Sequence, residues 1–243
     1  MKLSAKTDVG AVRPHNEDSV NSGSFPDGSA WAVVCDGMGG AVGGKIASSM
    51  AVDLITSKLS GCYRSGMQMS SVKNMLLSAI TTANVVVFDK SRAEFSLKGM
   101  GTTVVAAVVL SDGSFCVAHA GDSRAYLLSQ TEIKQLTKDH SMVQELYDKG
   151  NLSEEQMKHH PNKNIITRAL GVEEDIEIDF KTGDLSSPQR ILLCSDGLSN
   201  FVEEETMLSL SNGLDAEEYV NQLIKTANEN GGTDNITAAV IEF

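Results

Sequence analysis

Four aspartates stand at the ends of apolar runs that have the length and composition of buried strands. Asp36, Asp122 and Asp196 each close such a run, and Asp234 stands just before another. Clustered carboxylates repel one another strongly, so several can meet at one edge of a sheet only if cations neutralise them. Ligands that are all oxygen atoms suit hard divalent ions such as Mg²⁺ or Mn²⁺. The pattern therefore favours a fold that gathers these strand ends around a metal site.

Two long stretches after Asp36 have the periodicity of helices that pack on a core. The first stripe comprises Ile46, Met50, Leu54, Ile55 and Leu59. The second comprises Val72, Met75, Leu76, Ala79, Ile80, Ala83, Val86 and Val87. A third helix is predicted to start at Asp215, with Glu218 three residues later, and to stop before Gly231.

The strand-like segments indicate antiparallel pairing. Residues 102–110 and 115–120 are rich in β-branched and apolar residues, and a four-residue turn joins them. Residues 236–243 form a last strand. Strands, a helical pair, hairpins and then helix and strand again do not follow regular β-α-β alternation. We predict an α+β fold, a sandwich of two antiparallel β-sheets flanked by helices on both sides.

The chain is expected to be one domain with a polar insertion. Its 243 residues suffice for one large core, and nothing resembling a linker divides residues 1–243. Residues 139–171 are more polar and contain two short helical patterns, with a capping box formed by Ser153 and Gln156. We predict a surface flap there.

Charge and cysteine usage limit the classes of partner. The net charge of −12, from 20 basic and 32 acidic residues, disfavours nonspecific binding to nucleic acid or anionic membrane. The sequence suggests no apolar stretch near the ~20 residues that span a bilayer, and no signal for export. Three of the four cysteines lie in apolar runs, which indicates free thiols. We expect a cytoplasmic protein.

Six motifs resemble those of the metal-dependent type 2C (PPM) Ser/Thr protein phosphatases in their compact bacterial form. They are Thr7-Asp8-Val9-Gly10 with Arg13 and Asn16-Glu17-Asp18, Asp36-Gly37-Met38-Gly39-Gly40, Gly101-Thr102-Thr103, Gly121-Asp122-Ser123-Arg124, Ser195-Asp196-Gly197-Leu198 and Thr233-Asp234-Asn235-Ile236-Thr237. Each motif alone is weak, since Asp-Gly is usually a turn. Their order and separations along essentially the whole chain make the resemblance specific.

The resemblance implies two to three bound Mn²⁺ or Mg²⁺ ions. Asp36 would bridge two ions, Asp196 and Asp234 would hold the first, and the carbonyl of Gly37 would help hold the second. Asp122 would form a third metal position together with Asp196. A two-metal site acidifies a bridging water and neutralises the phosphate dianion.

Further residues are implied around these ligands. Glu17 and Asp18 would act through metal-bound waters, so Asp18 counts among the metal-site residues, and Asn235 would support the site beside Glu17. Arg13 resembles the family's phosphate-binding arginine, whose planar fork grips two phosphate oxygens. Arg13, Asp36, Asp196 and Asp234 are the expected catalytic residues.

The function implied is hydrolysis of phosphoserine and phosphothreonine in proteins by direct attack of a metal-activated water. The expected partners are phosphorylated proteins, among them a bacterial Ser/Thr kinase and its substrates, and we expect a monomer. One alternative keeps the enzyme but narrows its target to a phosphorylated anti-anti-sigma factor. Another is a pseudophosphatase that binds phosphoproteins without turnover.

The chain departs from the family pattern at several positions. Many bacterial relatives carry histidine and glutamate where this chain has Ala41 and Lys45, and a cation near a metal site competes with the metal. Met38 replaces a general-acid histidine of eukaryotic relatives. His140 and His160 are candidates for that role, against the alternative that each is structural or simply exposed.

Overall fold

The strands form two five-stranded antiparallel sheets. The computed structural model describes residues 1–243, apart from the side chain of Ala41, so the prediction about that side chain lies outside the described residues. The first sheet comprises, in spatial order, β1 (Lys2–Asp8), β12 (Ile236–Glu242), β11 (Arg190–Cys194), β8 (Arg124–Leu128) and β9 (Ile133–Gln135). The second comprises β10 (Asp179–Asp184), β7 (Ser114–Ala120), β6 (Val104–Val109), β3 (Ala30–Cys35) and β2 (Ser19–Ser24). A short ribbon joins β4 (Gly37–Met38) and β5 (Gly101–Thr102).

Helices cover the outer faces of both sheets. Against the second sheet lie α1 (Gly40–Cys62) and α2 (Met69–Ala93), with a 3-10 turn at Phe95–Leu97. Against the first lie α5 (Asp196–Ser199), α6 (Glu204–Ser211) and α7 (Ala216–Glu229). The predicted α+β sandwich of two antiparallel sheets between helices is therefore confirmed.

Each central strand is apolar on both faces because both faces are buried. In β3, Ala32 and Val34 point between the sheets, whereas Trp31 and Val33 point towards α1 and α2. Such strands read as continuous apolar runs rather than as alternating ones. The apolar run of a central strand therefore ends where the strand leaves the sandwich and its side chains are no longer buried on both faces.

The three predicted helices form, with one correction in α2. The Asp215 side chain caps α7 by accepting from the backbone N–H groups of Glu217 and Glu218. In α2, Val86 is 36% exposed and lies outside the buried stripe. α2 is also long and apolar enough to cross a membrane by length and composition alone, so the expectation of no such stretch is wrong. Its apolar content has a local cause, since one face of α2 packs into the core beside α1.

The strand directions bring the four aspartates to one edge. β3 and β7 are both antiparallel to β6, so both end at the same edge of their sheet. In the other sheet β11 ends beside the start of β12. Asp36, Asp122, Asp196 and Asp234 consequently face one cleft.

The polar insertion contains α3 (Met142–Asp148) and α4 (Glu154–Lys158). Ser153 and Gln156 form the predicted capping box at the start of α4. The two ends of the insertion meet at a bridge between Ser141 and Ile166. The insertion thus leaves and rejoins the sandwich beside the cleft.

Candidate active site

A cleft of about 460 Å³ opens at the shared edge of the sheets. Among its lining residues are Arg13, Glu17, Asp36, Gly37, Asp122, Asp196, Asp234 and Asn235. Asp18 is fully buried and shares hydrogen-bond partners with this edge. The structure therefore brings to one place the nine residues that the resemblance assigns to the metal and phosphate site.

The main chain of Asp36 is held by the last residue of β5, Thr102, and by the next residue, Thr103. Its N–H donates to the Thr103 hydroxyl over 2.9 Å, and its carbonyl accepts from the Thr102 hydroxyl over 2.8 Å. Burial raises the pKa of the Asp36 carboxyl well above its usual range, and repulsion from Asp18, Asp196 and other acids raises it further. A rigid backbone thus presents a carboxylate whose charge the protein alone does not compensate.

Asp18 provides a direct test of whether these residues fit a metal. Its Oδ2 accepts from Ser195 Oγ at 2.8 Å and from Thr237 Oγ1 at 2.6 Å, but its buried Oδ1 has no hydrogen-bond partner among the described residues. Burial raises the pKa of Asp18 to about 6, although the two hydroxyls oppose that rise. An unpartnered buried carboxylate oxygen is costly, and a cation or its water would satisfy it.

The carboxyl groups of Asp196 and Asp122 also have raised pKa values. Burial raises the pKa of Asp196 to about 6, with repulsion from Asp234 next in size. Burial also raises the pKa of Asp122 to about 8, helped by repulsion from Asp196. With every carboxyl ionised, the cleft would concentrate negative charge that divalent ions neutralise. The donor set fits hard ions such as Mn²⁺ and Mg²⁺.

Gly37 must be glycine because the start of α1 packs directly on it. A Cβ at Gly37 would overlap the carbonyl of Gly44, and a Cβ at Gly44 would overlap the Glu17 carboxylate. The close approach of these two backbones places Glu17 against α1 at the rim of the cleft.

Asn235 ties the loop that carries Arg13 and Glu17 to the start of β12. Its Oδ1 accepts from the Glu17 N–H at 2.8 Å, and its Nδ2 donates to the carbonyls of Val9 and His15 at 2.9 Å. One amide side chain therefore fixes the loop at three points. Asn235 supports the site from outside the carboxylate cluster.

Arg13 lies at the cleft but is paired with one of the aspartates. Its Nη2 donates to Asp234 Oδ2 at 2.8 Å, and its Nε donates to the Thr233 carbonyl at 3.3 Å. The Arg13 side chain is 51% exposed. A guanidinium carries five N–H donors, so these contacts leave donors for a phosphate.

His140 has structural contacts rather than a place in the cleft. Its Nδ1 accepts from the Gly121 N–H at 3.1 Å, and its ring stacks on His119. Its Nε2 faces Arg168 and, at 3.4 Å, Asp179. His119, His140 and Asp179 have ligand-like spacing, but Nδ1 of His140 accepts a hydrogen bond, so a neutral ring carries its proton on Nε2 and cannot ligate there. His160 accepts from the Asn162 N–H within the flap.

Several cleft residues carry no signal in the sequence. They are Pro14, His15, Asn164 and Ile166. His15 follows Arg13 by two positions, but a single histidine has no diagnostic spacing. Asn164 and Ile166 reach the cleft from the flap.

Comparison with known proteins agrees with this geometry. The family described as Protein phosphatase 2C matches residues 12–240. The chain belongs to the protein phosphatase 2C family. Its enzyme class is accordingly protein-serine/threonine phosphatase, as the resemblance predicted.

Individual members of the protein phosphatase 2C family are similar over essentially the whole chain. Serine/threonine phosphatase Stp of Listeria monocytogenes serotype 4b is 40% identical over 248 residues, which cover 100% of this chain and 96% of that protein. The solved structure of the S. agalactiae serine/threonine phosphatase superposes with a TM-score of 0.91 at 34% identity, covering 98% of each chain. The crystal structure of the catalytic domain of PstP in complex with two manganese ions superposes with a TM-score of 0.85 at 33% identity. The match covers 98% of this chain and 96% of that one.

Proposed function

We propose that this chain removes phosphate from phosphoserine and phosphothreonine in proteins by direct attack of water at a centre of two to three Mn²⁺ or Mg²⁺ ions. The observation that carries the proposal is the cluster of aspartates with raised pKa values around the unpartnered Asp18 Oδ1. The two manganese ions of the similar PstP domain support the choice of metal.

The proposed ligands divide between the two sheets. Asp36 and the Gly37 carbonyl come from the end of β3, and Asp122 comes from the end of β7. Asp196 and Asp234 come from the other sheet, where β11 ends and β12 begins. When bound, the ions would supply an acidified water and neutralise the phosphate dianion.

The remaining residues bind and orient. Arg13 offers N–H donors to the phosphate oxygens at the mouth of the cleft. Asn235 and Glu17 hold the loop that carries Arg13. Asp18 is fixed through Oδ2 and keeps Oδ1 for an ion or its water. This division of roles needs no nucleophile from the protein.

The biological setting is part of the proposal. Residues 1–243 would act as one catalytic domain, monomeric in the cytoplasm, and would oppose a bacterial Ser/Thr kinase by acting on that kinase and its substrates. The name serine/threonine phosphatase of the similar Listeria protein supports the substrate class.

The test is hydrolysis of a phosphothreonine peptide with Mn²⁺, with and without chelator. Wild type is compared with Asp36→Asn and Asp196→Asn, with exposed Asp53→Asn on α1 as the matched control. Turnover should require metal and fall by more than about 100-fold in both cleft variants, because even outer partners of metal ligands cost 10–100-fold. A folded wild type that binds the phosphopeptide with Mn²⁺ or Mg²⁺ but never hydrolyses it would contradict the proposal and favour the pseudophosphatase.

A further inference from the structure

Helix α1 holds the backbone of the segment that contains Asp18. Lys45 Nζ donates to the Asp18 carbonyl at 2.8 Å and to Ser19 Oγ at 3.2 Å. Ser48, one turn further along α1, donates from Oγ to the Glu17 carbonyl and lies 2.9 Å from Ser19 Oγ. Two side chains of one helix therefore fix three consecutive residues.

Asp18 is thereby held at almost every polar atom. Its N–H donates to Asn16 Oδ1 at 3.0 Å, its carbonyl accepts from Lys45, and its Oδ2 accepts from Ser195 and Thr237. The exception is the buried Oδ1, which has no partner among the described residues. A carboxylate with a fixed backbone and one fixed oxygen has little freedom left, so its other oxygen keeps a single orientation.

The contacts of Lys45 distinguish two effects of a cation at this position. An ammonium paired with a metal-binding carboxylate would compete with the metal for charge. Here the hydrogen-bond partners of the ammonium are a carbonyl and a hydroxyl instead. A glutamate, which the resemblance places at this position in many bacterial relatives, cannot donate to a carbonyl. The contact is therefore a consequence of this chain's own lysine.

We propose that Lys45 is a positioning residue of the metal centre, which fixes the backbone of Asp18 and so keeps Oδ1 oriented for an ion or its water. The inference rests on the proposed function, because it assigns Asp18 to the metal site. Partners that orient a ligand from outside raise metal affinity by restricting the conformations of that ligand. Loss of Lys45 should therefore weaken metal binding although Lys45 touches no ion.

The experiment measures Mn²⁺ binding to the full chain by titration calorimetry after chelator treatment, without any substrate. In Lys45→Met we expect the dissociation constant of at least one ion to rise about tenfold, the lower end for outer partners of metal ligands. The matched control is Lys58→Met on the same helix, which should bind as wild type does. Lys45→Arg keeps an N–H donor and should recover most of the affinity.

The Mn²⁺ affinities of these variants can overturn the proposed role of Lys45 in two ways. Unchanged affinity in Lys45→Met would overturn the proposal, and tighter binding would overturn it in favour of charge competition. Ser48→Ala removes the second anchor and should also weaken Mn²⁺ binding, which keeps the test open if Lys45→Met folds poorly. Failure of the proposed function would look different, because wild type would then bind no Mn²⁺, or Asp36→Asn would bind it as tightly as wild type.

Discussion

Arg13 donates to Asp234 across the cleft, so one guanidinium faces both a proposed metal ligand and the space for a phosphate. Arg13→Lys keeps the charge but loses the planar fork. We expect kcat/KM on a phosphothreonine peptide to fall about 10- to 100-fold, because hydrogen bonds to charged groups contribute about 1.5–3 kcal/mol. Exposed Arg64→Lys is the control. Equal kcat/KM in wild type and Arg13→Lys would show that the fork does not grip the phosphate.

His15 is a histidine that lines the cleft, and it has no counterpart in the sequence-based assignments. A threonine leaving group needs a proton, whereas a nitrophenolate leaves without one. His15→Asn should therefore lower kcat on the phosphopeptide by about 100-fold or more, with little change on nitrophenyl phosphate. The control is exposed His159→Asn in the flap. Similar losses on both substrates would mean that His15 binds phosphate or shapes the loop instead of donating a proton.

The residues that sequence could predict are those whose signal is local. Asp36 and Asp196 stand where an apolar run stops, and that break is visible along the chain. The Asp18 carboxylate is held by Ser195 and Thr237, which lie 177 and 219 positions away. Such partners depend on how the two sheets stack, and neither composition nor periodicity reports that. The ion pair between Arg13 and Asp234 could not be predicted from the sequence for the same reason.

At the scale of elements, the flap is tied to the sandwich at its base and reaches the cleft. Arg124 in β8 donates three hydrogen bonds to the Asp139 carboxylate at the start of the flap. The two ends of the flap are joined by the Thr167 N–H, which donates to the His140 carbonyl at 2.8 Å. Replacing residues 151–162 by a short Gly-Ser linker keeps these ties. We expect kcat/KM on a phosphoprotein to change several-fold more than on nitrophenyl phosphate, because a surface loop beside a cleft governs access of large substrates. Equal changes in kcat/KM on the phosphoprotein and on nitrophenyl phosphate would show that the flap does not select substrates by size.

Elements were predictable where one face is apolar over several turns. α7 shows this pattern with its Asp215 cap, and both were predicted. The edge strand β10 is mostly exposed, so it has no apolar alternation, and its pairing with β7 defines it as a strand. α5 has four residues, too few for any period to show.

At the scale of the whole molecule, the buried acids make stability depend on pH and metal together. In the metal-free protein, burial above all raises the pKa of Asp122 from 3.8 to about 8, so the native state holds a proton that the unfolded state has lost. Stability therefore falls as pH rises through that window. The buried histidines act in the opposite sense, since burial lowers the pKa of His119 and of His140 below 6.5. Above pH 7 both histidines are mostly neutral in the folded and in the unfolded state, so they add little to the change of stability with pH. The carboxyls therefore determine that change.

Thermal unfolding in chelator between pH 7 and pH 9 should consequently show a falling melting temperature. One such carboxyl corresponds to a loss of up to about 1.4 kcal/mol of unfolding free energy per pH unit below its native pKa. Asp122→Asn should flatten the slope, whereas Asp53→Asn should leave it unchanged. Saturating Mn²⁺ should raise the melting temperature more at pH 8 than at pH 7, because ions bind deprotonated carboxylates and must otherwise displace protons. A melting temperature that does not fall with pH in chelator would mean that these carboxyls are already ionised in the metal-free fold at pH 7, and the electrostatic case for the metal centre would fail.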